Sequence, residues 1–192
     1  APHGPAVGGG GMMRAPLIAT MLMMSSTAIA QAPASAAGKW EIINQSSPLT
    51  GARTTGGSLD SSNMLANTLG YETRASLIVR CAGESGLAVF VGWPQVVRYD
   101  STNMMGMPKT MAVWRIDDGK VEANLWDIDS TGTSAGEFQH KNAVKLLAKI
   151  VYARKLVVRL TGRQTQDAEF DLTGIERVGT DAAAACGIKL TR

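Results

Sequence analysis

Leu77-Ile78-Val79-Arg80-Cys81, then Ala82-Gly83-Glu84-Ser85-Gly86, then Leu87-Ala88-Val89-Phe90-Val91-Gly92-Trp93 is the stretch that decides the fold class. Leu77, Val79 and Cys81 fall on one face of an extended run, and Leu87, Val89, Val91 and Trp93 fall on one face of the next. Alternation at every second residue marks a strand with one buried face, and five intervening residues suit a hairpin loop. A second hairpin follows downstream. Ala112, Trp114 and Ile116 alternate within Met111–Asp117, Asp118-Gly119 carries a type I′ turn signal, and Val121, Ala123 and Leu125 continue on the return strand.

Upstream of the first hairpin, Lys39–Asn44 reads as a strand ended by Ser46-Ser47-Pro48, and Ala52–Leu59 as a second strand weakened by Gly56-Gly57. Residues 60–72 are polar and turn-rich. Downstream of the second hairpin the period changes. Ala143, Leu146, Leu147, Ile150 and Val151 recur at helical spacing within Asn142–Arg154, with Lys141, Lys145 and Lys149 on another face. That basic stripe suits either an acidic partner or plain solvation. Strands are expected at Lys155–Leu160 and Ala168–Leu172. Thr173-Gly174-Ile175-Glu176 has the form of a capping box opening a helix in which Ile175, Val178, Ala182 and Ala185 lie on one face and which ends at Cys186. The expected class is α+β: a β-rich antiparallel sheet or sandwich with two C-terminal helices.

Composition narrows the function classes. A chain of 192 residues with 45% hydrophobic and 18% charged side chains is sized and composed for one globular domain. Lys+Arg 19 against Asp+Glu 16 leaves +3, too weak an excess for a nucleic-acid groove. No apolar run approaches the ~20 residues that span a bilayer.

The N-terminal region reads as an address. Met13-Arg14, the apolar run Ala15–Met24 and the Ala28-Ile29-Ala30 site follow the order of a bacterial-type secretory signal, over residues 12–30. Residues 1–11 read as an upstream-start artefact or a cloning remnant, and 31–38 as a flexible lead-in to a domain over 39–192. The expected location is the periplasm, or outside the cell. In an oxidising compartment two cysteines have one connectivity, which predicts a Cys81–Cys186 disulfide; two independent buried thiols are the alternative. A closed loop of about 100 residues is worth on the order of 4–5 kcal/mol by chain entropy.

Signals for chemistry are sparse. Gly132-Thr133-Ser134-Ala135-Gly136 has the G-x-S-x-G spacing, but a nucleophile elbow needs a strand-to-helix turn and a later histidine, and His140 follows too closely. Asp127-Ile128-Asp129-Ser130-Thr131 resembles a phosphatase nucleophile motif and, with Gly132, nearly a calcium loop. The twelfth position, however, is Phe138, with Glu137 one place early. The phosphatase reading also lacks a parallel α/β core and further Lys and Asp clusters downstream, and a strand ending in a hydrogen-bonded Asp/Ser/Thr turn explains the stretch better. One histidine and two distant cysteines in the exported domain lack zinc spacing, and no cofactor or metal is expected. Trp40, Trp93, Trp114 and Trp126 are expected in the core, with Trp93 and Trp126 the two that could instead join an exposed patch. Met104, Met105 and Met107 form a loop suited to protein contact, because flexible thioethers adapt to a partner's surface.

From Trp40 onwards the chain resembles the VasI/EvfG family of type VI secretion-associated proteins. The resemblance rests on Leu77-Ile78-Val79-Arg80-Cys81, Val89-Phe90-Val91-Gly92-Trp93, Trp114-Arg115-Ile116-Asp117, Phe170-Asp171-Leu172-Thr173-Gly174 and the terminal Ala185-Cys186. It implies an exported, non-enzymatic accessory domain with no catalytic residues, a disulfide, and a protein partner in the cell envelope among type VI secretion components. Two alternatives stand beside it: an exported small hydrolase or phosphatase using Asp127 and Asp129, and a ligand-binding or inhibitor domain.

Overall fold

The computed structural model describes residues 39–104 and 106–190. The segments read above as an upstream remnant, a signal peptide and a lead-in, together with Met105, lie outside the described residues. The elements run β1 (Glu41–Ser46), β2 (Arg53–Asp60), β3 (Leu65–Ala66), β4 (Glu72–Thr73), β5 (Ser76–Ala82), β6 (Leu87–Gly92), β7 (Ser101–Thr102), β8 (Pro108–Ile116), β9 (Glu122–Ile128), β10 (Ser134–Glu137), α1 (His140–Ile150), β11 (Lys155–Thr161), β12 (Thr165–Asp171) and α2 (Ile175–Ala185).

Ten strands form one antiparallel sheet in the order β1-β2-β5-β6-β10-β9-β8-β11-β12, with β7 beside β8, and β3 and β4 pair separately. This is the α+β class expected, built as one sheet and not as a sandwich. The first hairpin pairs Val79 with Val89 and Leu77 with Val91, and all four are buried on one face. A run of other side chains continues that face across the sheet: Ala135, Trp126, Ala112, Trp114, Val158 and Phe170. Both helices join the same core. Ala143, Leu146, Leu147 and Ile150 of α1 and Ile175, Val178, Ala182 and Ala183 of α2 are buried, each set at the spacing of one helical face. Gly179 permits the helices to meet, since a Cβ there would lie 3.0 Å from Leu147 Cδ1 and Val151 Cγ2.

The sheet curls back on itself. The chain leaving β2 runs along the outer edge of β12, where Ser62 N–H donates to the Glu169 carbonyl (2.7 Å). The Asn63 side chain donates to Asp167 O and accepts from Glu169 N–H, each at 2.8 Å. Gln166 bonds both the N–H and the C=O of Ala66. Side-chain amides thus satisfy an edge that would otherwise present unpaired backbone groups.

Cys81 on β5 and Cys186 at the end of α2 are disulfide-bonded, with Cα atoms 5.6 Å apart. Two local readings are corrected. Asp118-Gly119 does not form a type I′ turn. The turn closes from Gly119 N–H to Ile116 O (2.9 Å), and Asp117 takes the left-handed conformation (φ 46°). The Asp117 carboxylate accepts from the N–H groups of Arg154 and Lys155 (2.9 and 2.8 Å), tertiary bonds that hold the strained residue in place. The capping box also does not form. Gly174 (φ 91°) is the N-cap of α2 without a side-chain bond. The Thr173 hydroxyl donates instead to Asp171 (2.7 Å), lowering that carboxyl's pKa.

Candidate functional site

The loop singled out for its methionines is a tight turn between β7 and β8. Asn103 organises it: its carbonyl accepts from Gly106 N–H (3.0 Å), and its side chain from Met107 N–H (2.9 Å). Gly106 supplies the positive φ (77°) that the turn requires. The result holds Met104 wholly in solvent and leaves Met107 52% exposed.

Met107 is not isolated. It borders a surface cavity of about 330 Å³ whose other walls include Val97, Tyr99, Pro108, Ile128 and Thr131. Tyr99 is 57% exposed, and Met111 and Leu125 face each other across β8 and β9 on the outer face of the sheet, 43% and 41% exposed. The fold therefore brings together two features far apart in the chain, the methionine loop and the Asp129–Thr131 turn. Tyr99 lines the same cavity, whereas Met111 and Leu125 lie on the opposite face of the sheet from its Pro108 and Ile128 walls. Sequence reasoning missed Tyr99, which stands in an irregular segment with no periodicity to say where it points.

The two candidate catalytic carboxylates are engaged in different ways. Asp127 is largely buried, with Oδ1 2.5 Å from Lys109 Nζ and no other partner for that oxygen among the described residues. Asp129 is the keystone of its own turn. Its carboxylate accepts from the Thr131 hydroxyl (2.7 Å) and from the N–H groups of Thr133 (3.2 Å) and Ser134 (3.0 Å). This is the hydrogen-bonded Asp/Ser/Thr turn read from the sequence. Glu137, at the end of β10, is half-buried. Burial raises its pKa first and the neighbouring Asp127 second, while Lys109, Asn142 and Lys145 pull it back.

The G-x-S-x-G stretch runs from that turn into β10, and Ser134 begins a strand instead of occupying a strand-to-helix elbow. Gly136 is required there because a Cβ would sit 2.4 Å from Phe90 Cα and Val89 O. His140 opens α1, and its Nδ1 accepts from Leu87 N–H (3.1 Å), tying the helix to the first hairpin. Trp93, Trp114 and Trp126 are buried in the core, and Trp40 is partly buried against it. Trp93 and Trp126 therefore contribute no exposed patch.

Among the described residues no helix is long and apolar enough to cross a membrane. No family model, curated protein or solved structure matches the chain.

Proposed function

We propose that this protein is an exported, non-enzymatic accessory protein that binds a protein partner in the cell envelope, in the manner implied by its resemblance to the VasI/EvfG family of type VI secretion-associated proteins. The observation that carries the reading is the apolar surface formed by Tyr99 and Met107 at the 330 Å³ cavity, with Met104 exposed in the same turn as Met107. Single exposed apolar residues are ordinary on a protein surface; a contiguous group beside a concavity is the form of a protein contact. Methionines at its rim suit a partner whose surface they must follow. The disulfide is compatible with an oxidising compartment.

The engagement of Asp127 and Asp129 favours binding over hydrolysis. A nucleophilic carboxylate needs a free oxygen aimed at substrate. Here one carboxylate is paired with an ammonium in the sheet, and the other accepts bonds from its own turn.

The test is cross-linked affinity capture of the tagged protein from its native host, wild type beside Met104→Ser/Met105→Ser/Met107→Ser. The expected result is enrichment of type VI membrane-complex or baseplate components by the wild type, and its loss in the variant with the circular dichroism unchanged. Capture that the substitutions leave intact would overturn the assignment of this surface. No enrichment in cells making the apparatus would overturn the secretion role.

A further inference from the structure

A second surface arises where two elements part company. β10 pairs with β9 only at Asp127 and Ile128. The chain then leaves the sheet to begin α1, so the lane beside residues 122–126 of β9 holds no strand among the described residues. The hydrogen-bonding pattern says which groups face that lane. Asp129 N–H donates across to Ser134 O (3.0 Å), so by strict alternation the N–H and C=O of Asp127, Leu125 and Ala123 point the same way. The other side of the sheet agrees. Met111 N–H and the Lys109 carbonyl bond Asp100, away from β9. Thr110, Ala112 and Trp114 therefore exchange bonds with Trp126, Asn124 and Glu122. Ala123 and Leu125, both exposed, are left with their backbone donors and acceptors turned towards the empty lane.

That lane is a groove, not a bare edge. It has a volume of about 270 Å³, with β9 as one wall and α1 as the other. Trp114, Trp126 and Leu146 border it, with Glu137 and Asn142 at one end. Lys145 and Lys149 project from the helix wall. Lys149 is engaged, 2.7 Å from Glu122 and 4.8 Å from the Trp114 ring centroid. Lys145 has no carboxylate within ion-pair distance among the described residues.

We propose that this groove binds an extended segment of a partner protein as an added strand on β9, with a carboxylate of that segment meeting Lys145. An unpaired strand edge beside a helix offers main-chain hydrogen bonds for affinity, and the side-chain wall selects sequence. Five residues of lane accommodate an extended segment of about 16 Å. The available bonds are the N–H and C=O of Ala123 and of Leu125. Side chains on the helix side of the added strand rest on Trp114, Trp126 and Leu146. The charge of Lys145 sets the preference for an acidic residue among them. This inference rests on the partner-binding reading but not on the methionine surface.

The experiment is fluorescence anisotropy with the full chain and labelled peptides of about seven residues. The peptides have a valine/threonine host in which one glutamate is walked through the positions; controls carry lysine in its place or N-methylated backbone amides. Saturable binding is expected for a subset of the glutamate peptides, weakened at least about tenfold by N-methylation. Ala123→Pro removes a donor that faces the lane and breaks no bond to β8, so it should abolish binding while preserving the circular dichroism. Lys145→Glu, on the exposed helix face, should transfer the preference to the lysine peptides and keeps the test decisive if the proline variant misfolds. Met104→Ser/Met107→Ser should bind the peptides unchanged, which separates failure here from failure of the other surface. Absence of saturable binding up to about 1 mM, where the interaction would be worth only about 4 kcal/mol, overturns the proposal, as does binding indifferent to Ala123→Pro and Lys145→Glu. Self-association of the wild type that Ala123→Pro abolishes would assign the lane to a second copy and overturn it too.

Discussion

Replacing both Cys81 and Cys186 with alanine removes a cross-link between residues 105 apart in sequence. For a loop of that length the chain-entropy relation gives about 16 cal/mol/K, or about 4.7 kcal/mol at 25 °C. The stabilisation acts on the unfolded chain, which the bridge prevents from expanding. Two observables should therefore move together. Guanidinium denaturation should show a loss of about 4–5 kcal/mol, a large part of the ~5–15 kcal/mol available to a domain. The dependence on denaturant should steepen, because the open chain exposes more surface when it unfolds. At about 2–4 °C per kcal/mol the melting temperature should fall by about 10–19 °C. A loss below about 1 kcal/mol with an unchanged slope would refute the reasoning, because it would mean that the cross-link does not constrain the unfolded ensemble.

Glu137→Gln should raise the melting temperature at pH 7. Its folded pKa is raised, chiefly by burial and then by Asp127, so ionisation costs the folded state stability as pH climbs from the ordinary carboxylate value through the raised one. Glutamine removes that dependence, and the difference from wild type should close at acid pH in a series of thermal melts. Gly136→Ala should destabilise by about 2–3 kcal/mol or prevent folding, since the new Cβ meets Phe90 and Val89 backbone that cannot swing aside. Denaturant titration measures it. Arg159 and Asp167 form a two-pronged pair at 2.6 and 2.7 Å, and the Arg159 hydrogen bonds lower the Asp167 pKa. Half-exposed as they are, a double-mutant cycle should give no more than about 1 kcal/mol at pH 7, lost as pH falls through the lowered Asp167 value.

What the sequence made legible follows the physics of each signal. Alternation depends on burial alone, so the β5–β6 hairpin could be read from Leu77, Val79, Leu87, Val89 and Val91 without tertiary knowledge. The α1 stripe of Ala143, Leu146, Leu147 and Ile150 was equally local. Turn chemistry was less legible, because Asp117 and Thr173 bind partners that only the fold supplies. On β9 the alternation misled in a useful way. Val121, Ala123 and Leu125 keep an apolar period yet face solvent, while Trp126 and Ile128 turn inward. Of the candidate site, the methionines were visible as a composition anomaly. Their union with Tyr99 and the Asp129 turn depends on the β7–β8 contact, and the empty lane beside β9 depends on where β10 stops. Neither leaves a mark in residue spacing.

The stitch between residues 62–66 and β12 bears on when this chain can become a protein. The partners of Ser62 and Asn63 are more than a hundred positions later in the chain, and α2, which packs on β2 and β5, arrives later still. A chain delivered from its N-terminus, by a ribosome or through a narrow translocation channel, has therefore made β2 long before it possesses the strand that seals it. Long-range closure of this kind is intrinsically slow. The consequence is temporal: a chain still being delivered lacks its seam, and the arrival of the last strand and helix supplies the partners that close the domain.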